Sequence, residues 1–173
     1  MKNNKSPLLA IAVIALLAAF LFDMQIWKFF LDIQLNLIAS LMEIISLVGS
    51  WYFVLIVTTL IFIITKRKKY VIASWAALLS GLICSTVLKI LIARPRPVLG
   101  IDSSFPSIHA MSVFAVLPLL DKKTRKYWLI FAILVGISRM YLGAHYASDV
   151  IAGSLIGYLF GYLSLRIFKL KSK

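Results

Sequence analysis

Three short stretches of this chain put charged and titratable side chains in or beside apolar helices, where such groups are expensive to hold and ordinarily serve function. They run from Lys89 to Pro97, from Pro106 to His109 and from Ser138 to Asp149, and read K-x6-R-P, P-S-I-H and S-R-x5-H-x3-D. Lys89, Arg96 and Arg139 supply cations, His109 and His145 imidazoles, Ser107 a hydroxyl and Asp149 a carboxylate. That set suits a phosphate ester, which needs positive charge around its oxygens, a nucleophile at phosphorus and a proton for the leaving oxygen.

Each residue type has a reason. Arg96 and Arg139 present planar forks to two phosphate oxygens each, and Lys89 adds a point charge. Ser107 is a good N-cap, so free N–H groups at the helix start, Ile108 among them, can bind an anion. Arg94-Pro95-Arg96-Pro97 ends a helix abruptly and keeps the following loop extended. Asp149 follows His145 by four residues, one helical turn. On a continuous helix its carboxylate can therefore accept from the imidazole, fix the tautomer and stabilise positive charge while His145 attacks. His109 has no carboxylate in its own motif and suits the proton donor. These are the only two histidines in the chain. The competing use is a metal, with His109, His145 and Asp149 as a facial triad and Asp102 nearby. Three cations in the same place would repel a divalent ion, so the expectation is neither metal nor cofactor.

The elements that must position these groups are membrane helices. The chain has 173 residues, 62% of them hydrophobic, and a mean hydropathy of +0.98. A soluble domain of this size could not hide so much apolar surface. Apolar runs separated by basic clusters predict an all-α, polytopic membrane protein with six transmembrane helices at about 7–22, 47–65, 70–92, 107–120, 127–142 and 147–167. The first carries Lys2 and Lys5 in front, as a signal peptide would, but Phe20 to Asp23 lack small residues for cleavage, so it reads as a retained span. Between the first two spans, Lys28, Asp32, Asn36, Ser40 and Glu43 recur at helical spacing, which predicts an amphipathic interfacial helix over 23–46. No linker, repeat or composition shift divides residues 1–173, so a single membrane-embedded domain is expected. Cys84 is the sole cysteine, which excludes an intramolecular disulfide.

The net charge of +13 invites a nucleic-acid reading, but its distribution argues against one. Fourteen of the nineteen basic residues (Lys2, Lys5, 66–69, Lys122, Lys123, Arg125, Lys126, Arg166, Lys169, Lys171, Lys173) fall on one side of the alternating spans. The positive-inside rule makes that side, and both termini, cytoplasmic. Lys89 then lies roughly 30 Å from the cytoplasmic face, Arg139 and His109 roughly 20 Å, and His145 and Asp149 roughly 30 and 25 Å, at 1.5 Å per residue. The motifs thus meet at the outer side of a plasma membrane. Gly153, Gly157 and Gly161 form a small-residue stripe on the last span, for close helix packing and with room for a homodimer. Trp27, Trp51, Trp75 and Trp128 read as an interfacial belt.

Together the three motifs resemble the type-2 phosphatidic acid phosphatase superfamily, the membrane lipid phosphate phosphatases related to bacterial haloperoxidases and acid phosphatases. The family pattern is K-x6-R-P, P-S-G-H and S-R-x5-H-x3-D. It is met by Lys89, Arg96 and Pro97, by Pro106, Ser107 and His109, and by Ser138, Arg139, His145 and Asp149. The resemblance implies His145 as nucleophile, Asp149 as its orienting partner and His109 as general acid. Lys89, Arg96, Ser107 and Arg139 would bind the phosphate without a metal. Ile108 replaces the family glycine, keeping the N–H but adding bulk and excluding unusual dihedrals. The expectation is a lipid phosphate phosphatase at the outer face, with a polyprenyl diphosphate as the first substrate class. Phosphatidic acid or phosphatidylglycerol phosphate comes second, and a non-catalytic lipid-binding or transport protein third.

Overall fold

The computed structural model describes residues 6–98 and 102–170, and among these every regular element is a helix. In chain order they are α1 Ser6–Asp32, α2 Asn36–Val48, α3 Trp51–Ile64, α4 Lys68–Ile92, α5 Ile108–Val116 with a 3-10 turn at Leu117–Leu119, α6 Lys122–Tyr141 and α7 Ala147–Ile167. Lys2, Lys5, Lys171 and Lys173 of the charge argument lie outside the described residues.

Three stretches are long and apolar enough to cross a membrane: Val13–Asp32, Lys68–Ile92 and Ala147–Ile167. Helices α2 and α3 would pass only together, and they are bent by 59° at Gly49-Ser50. Helix α6 is 20 residues long, but Lys122, Lys123, Arg125 and Lys126 crowd its start and Arg139 its end. Helix α5, expected as a span of 14 residues, is a short apolar helix whose Ala110, Met111, Val113, Ala115 and Val116 are fully enclosed by protein.

Helix α5 is the axis of the bundle, with α3, α4, α6 and α7 packed around it. The closest approach is to α7. A Cβ built on Gly153, Gly157 or Gly161 would strike the carbonyl oxygens of Ser107, Met111 and Ala115 in turn. The small-residue stripe is therefore filled by α5 of the same chain, and a second copy has no access to it.

The region before α3 differs from expectation. Helix α1 does not stop near residue 22 but continues to Asp32, since no Gly or Pro interrupts Phe22 to Asp32. The segment 23–46 is thus two pieces, the end of α1 and most of α2, rather than one interfacial helix. The break is a tertiary feature. Gln34 Nε2 donates to the Tyr141 carbonyl at 2.8 Å, and Leu35 N donates to the Tyr141 hydroxyl at 2.9 Å. Asp23, at the start of that segment, is 3% exposed and turned into the bundle.

The two ends of the bundle have different chemistry. At one end Arg67 in the α3–α4 turn reaches Asp121 at 3.9 Å, beside the basic start of α6. Asp121 caps α6 by accepting from Thr124 N and Thr124 Oγ1, each at 3.0 Å, and these bonds hold its carboxyl below the usual range. The other end lies 21 residues away along α4, roughly 30 Å at helical rise, and carries the three motifs.

Candidate active site

Helix α4 ends on Ala93 in the left-handed conformation, and the chain then turns back across the bundle. Lys89, one turn before that end, donates from Nζ to the carbonyls of Ser103 at 2.6 Å and Ser104 at 3.3 Å. The loop is tied to itself by Ser104 N to Arg94 O at 2.7 Å and Ser104 Oγ to Pro95 O at 3.1 Å. Arg96 is held by Nε to Asp102 O at 3.2 Å, with the exposed Asp102 carboxylate 3.9 Å from its fork.

Ser107 then starts α5. It caps the helix by accepting from Ala110 N at 3.5 Å, and its own N–H donates to the Asp149 carbonyl at 3.0 Å. That backbone bond locks the second motif to the third. His109 follows in the first turn. From the other side come Arg139 at the end of α6 and His145 in the turn before α7. Gly143, at φ +64, makes that turn possible. The N–H groups of Ala144 and His145 both donate to Arg139 O, at 3.1 and 3.2 Å.

These elements border one open cavity of about 480 Å³, lined by Lys89, Arg96, Ile108, His109, Arg139 and His145. Five of the eight residues singled out in the sequence are thereby joined by their side chains in one pocket of three cations and two imidazoles, and Ile108 makes six. Ser107 and Asp149 are fully buried behind the wall. Ser107 Oγ serves the helix cap, as its place at the start of α5 leads one to expect. Asp149 Oδ2 stands 3.7 Å from His145 Nδ1, inside ion-pair range and beyond hydrogen-bond length. Burial pushes the His145 imidazole down to about 4, against the opposing pull of the Asp149 carboxylate. Ile108 has an ordinary negative φ at the first helical position, so the dihedral freedom of glycine is not called upon there.

Arg139 Nε is buried without a partner, while its terminal nitrogen donates to Ser46 Oγ of α2. A buried donor aimed at a cavity is suited to an anion that enters it. Among the described residues no group of three or more His, Cys, Asp or Glu side chains is placed to hold a metal ion.

Sequence reasoning missed two parts of this region. The first is the roof, where Glu43, Ser46 and Leu47 of α2 and Ser50, Trp51 and Tyr52 at the start of α3 line the cavity. Trp51 comes to the cavity because α2, which leads into α3, packs over α6. The second is Arg94, which is not in the cavity wall. It donates to Asp149 Oδ1 at 2.7 Å and to Asp23 Oδ2 at 2.8 Å. A signal existed: Asp23 is the only charge between Pro7 and Trp27, and a lone carboxylate in an apolar helix needs a partner.

A family model described as the PAP2 superfamily matches residues 69–173. An undecaprenyl-diphosphatase of Sulfolobus acidocaldarius is 30% identical over 161 residues, covering 84% of this chain and 78% of that protein. The bacitracin transport permease protein BcrC of Bacillus licheniformis is 48% identical over 62 residues, which are 34% of this chain and 30% of that protein's own length. The crystal structure of a transmembrane PAP2 type phosphatidylglycerolphosphate phosphatase from Bacillus subtilis superposes with a TM-score of 0.75 at 26% identity, covering 95% of each chain. The apolar helices and the likeness to a transmembrane structure make this a multi-pass membrane protein. With the family model matching more than half of its residues, the chain belongs to the PAP2 superfamily.

Proposed function

We propose that the chain is a metal-independent phosphatase acting on a lipid phosphate or diphosphate at the outer face of a plasma membrane. The observation that carries the reading is the convergence of Lys89, Arg96, Arg139, His109 and His145 on one cavity, with Asp149 directly behind His145. In this mechanism the cations and the N–H groups at the start of α5 seat the phosphate. His145 Nε2 attacks phosphorus, the bond to the leaving oxygen breaks, and His109 gives that oxygen its proton. The product is a phospho-histidine. Water then attacks phosphorus, His109 takes the water proton, and phosphate leaves with His145 restored. Asp149 holds the Nδ1 proton of His145 and balances the imidazolium charge, and it closes its 3.7 Å gap when substrate binds.

Residues 1–173 act as one membrane-embedded unit, with six passes formed by α1, the bent pair α2–α3, α4, α5 with its 3-10 turn, α6 and α7, and with both termini cytoplasmic. The basic end near Arg67 and Lys122 faces the cytoplasm and the cavity faces out. A polyprenyl diphosphate is the preferred substrate, supported by the name of the Sulfolobus acidocaldarius relative, which aligns over most of both chains. Phosphatidylglycerol phosphate is the second reading, supported by the Bacillus subtilis structure that matches along 95% of its length. Partners are the membrane and the lipid substrate, with no nucleic acid.

The test is phosphate release by purified protein in detergent with EDTA present. Polyprenyl diphosphate, phosphatidic acid, phosphatidylglycerol phosphate and a soluble phosphate ester are offered side by side, with His145→Ala as control. Release that survives EDTA and disappears in the variant is expected, fastest on polyprenyl diphosphate. Absence of release from every substrate, or release that EDTA abolishes, would overturn the proposal in favour of lipid binding or a metal site.

A further inference from the structure

Asp23 is a carboxylate buried in an otherwise apolar stretch of α1, and burial of a charge in such a place is unfavourable unless it is fully paired. Its partners are specific. Asp23 Oδ1 accepts from Ser148 N at 2.9 Å, and Oδ2 accepts from Arg94 at 2.8 Å and from Ser148 Oγ. Arg94 uses its other terminal nitrogen for Asp149 Oδ1 at 2.7 Å and Ser148 Oγ at 2.7 Å, and its guanidinium lies 4.2 Å from the ring centre of Tyr146. Asp149 Oδ2, the oxygen facing His145, is fixed from the other side by Tyr146 N at 2.8 Å.

We propose that Asp23 and Arg94 are positioning residues for Asp149, and so set both the orientation and the net charge that His145 meets. The inference rests on the reading of His145 and Asp149 given above. The geometric argument concerns the fork of Arg94. A free guanidinium prefers to grip one carboxylate with two parallel bonds. Such a grip on Asp149 would draw Oδ2 away from His145. Asp23 prevents it by occupying the second arm, so that Arg94 holds only Oδ1 and leaves Oδ2 aimed at the imidazole. The cluster Asp23, Arg94 and Asp149 carries one net negative charge, which an imidazolium or a phosphorylated ring at His145 would balance.

The charged and titratable groups around His145 come from every element at this end. They are Asp149 on α7, Tyr146 just before it, Arg139 on α6, Lys89 on α4, His109 on α5, Glu43 on α2, Tyr52 on α3, Arg94, Arg96 and Asp102 in the loop after α4, and Asp23 on α1 behind Arg94. Removing one charge from this set must move the titration of His145 in a sign-specific direction. Loss of the Arg94 cation favours the protonated ring, and loss of the Asp23 anion disfavours it.

The chain's two histidines make that measurement direct. Protein labelled with 15N-histidine in detergent gives two imidazole side chains, assigned with His109→Gln. Arg94→Gln is expected to raise the His145 midpoint by about one pH unit, Asp23→Asn to lower it, and the double variant to return it near the starting value. In the hydrolysis assay Asp23→Asn should lower kcat roughly 10-fold with KM little changed, because substrate is not touched. Arg94→Lys, which keeps the charge and loses the fork, should leave the midpoint in place while lowering kcat; it decides the matter if Asp23→Asn does not fold. Unmoved midpoints, or shifts of the same sign in Arg94→Gln and Asp23→Asn, would overturn the proposal. If Asp23→Asn is lost to misfolding, an Arg94→Lys protein with wild-type kcat does the same. Opposite shifts in a protein that hydrolyses nothing would keep the charge relay and refute the phosphatase reading, so the two failures are distinguishable.

Discussion

His145 Nδ1 lies 3.7 Å from Asp149 Oδ2, with the imidazole 3% exposed and the carboxylate fully enclosed. That is roughly 1 Å longer than a charge-assisted hydrogen bond, and the imidazole nitrogen has no other partner among the described residues. The proposed mechanism requires this gap to close when substrate binds. Asp149→Asn keeps the shape and removes the charge. It is expected to lower kcat about 1,000-fold with KM nearly unchanged, as steady-state hydrolysis will show. A loss confined to KM would instead make Asp149 a binding residue.

Arg139 joins the roof to the floor of the cavity through Ser46, and its buried Nε has no hydrogen-bond partner among the described residues. Arg139→Lys retains a cation but no fork, and should reduce kcat/KM about 100-fold. Ser46→Ala frees the guanidinium to rotate and should reduce kcat/KM by a smaller factor, about 10-fold. The order of these two effects, read from progress curves on one substrate, is the prediction.

Close packing of α5 on α7 supplies a stability test independent of chemistry. A methyl group at Gly157 meets the Met111 backbone, with the carbonyl carbon at 2.9 Å and Ala115 N at 3.0 Å. At Gly136 it meets only the Val150 side chain, at 2.9 Å. Backbone cannot move aside as a rotamer can. Gly157→Ala should therefore destabilise the protein by about 2 kcal/mol or more, and Gly136→Ala by clearly less, in thermal unfolding in detergent.

Acid sensitivity follows from His145. Burial lowers its folded value to about 4 from an ordinary 6.5. Between these values the unfolded chain binds a proton that the folded chain does not, so stability falls as pH drops from about 6.5 to about 4. The unfolding temperature should decline over that window, and His145→Asn should flatten the decline. A variant with an undiminished pH slope would assign the acid sensitivity to other groups.

Much of the chemistry was readable in the chain itself. Fixed local spacing puts His145 four residues before Asp149, Ser107 at a helix start and Arg94 to Pro97 beyond a helix end, because helix caps and proline geometry act over a few residues; that His145 lies in the turn before α7, and not on a continuous helix with Asp149, is a feature of the fold. Apolar periodicity and the basic turns likewise determine an all-helical membrane chain with Lys89, Arg96, His109, Arg139 and His145 toward one end. What only tertiary structure decided are the relationships between distant segments. The break at Ile33–Leu35 depends on Tyr141, more than 100 residues away. The glycine stripe faces α5 because Ser107, Met111 and Ala115 present bare backbone to it. Ser107 and Asp149 stand behind the cavity wall, and Asp23 meets Arg94 inside the bundle, since a buried charge is stable only where the fold brings it a partner. Composition and pitch cannot specify such pairings; they are fixed by which helix faces come together and by the need to satisfy every polar group enclosed between them.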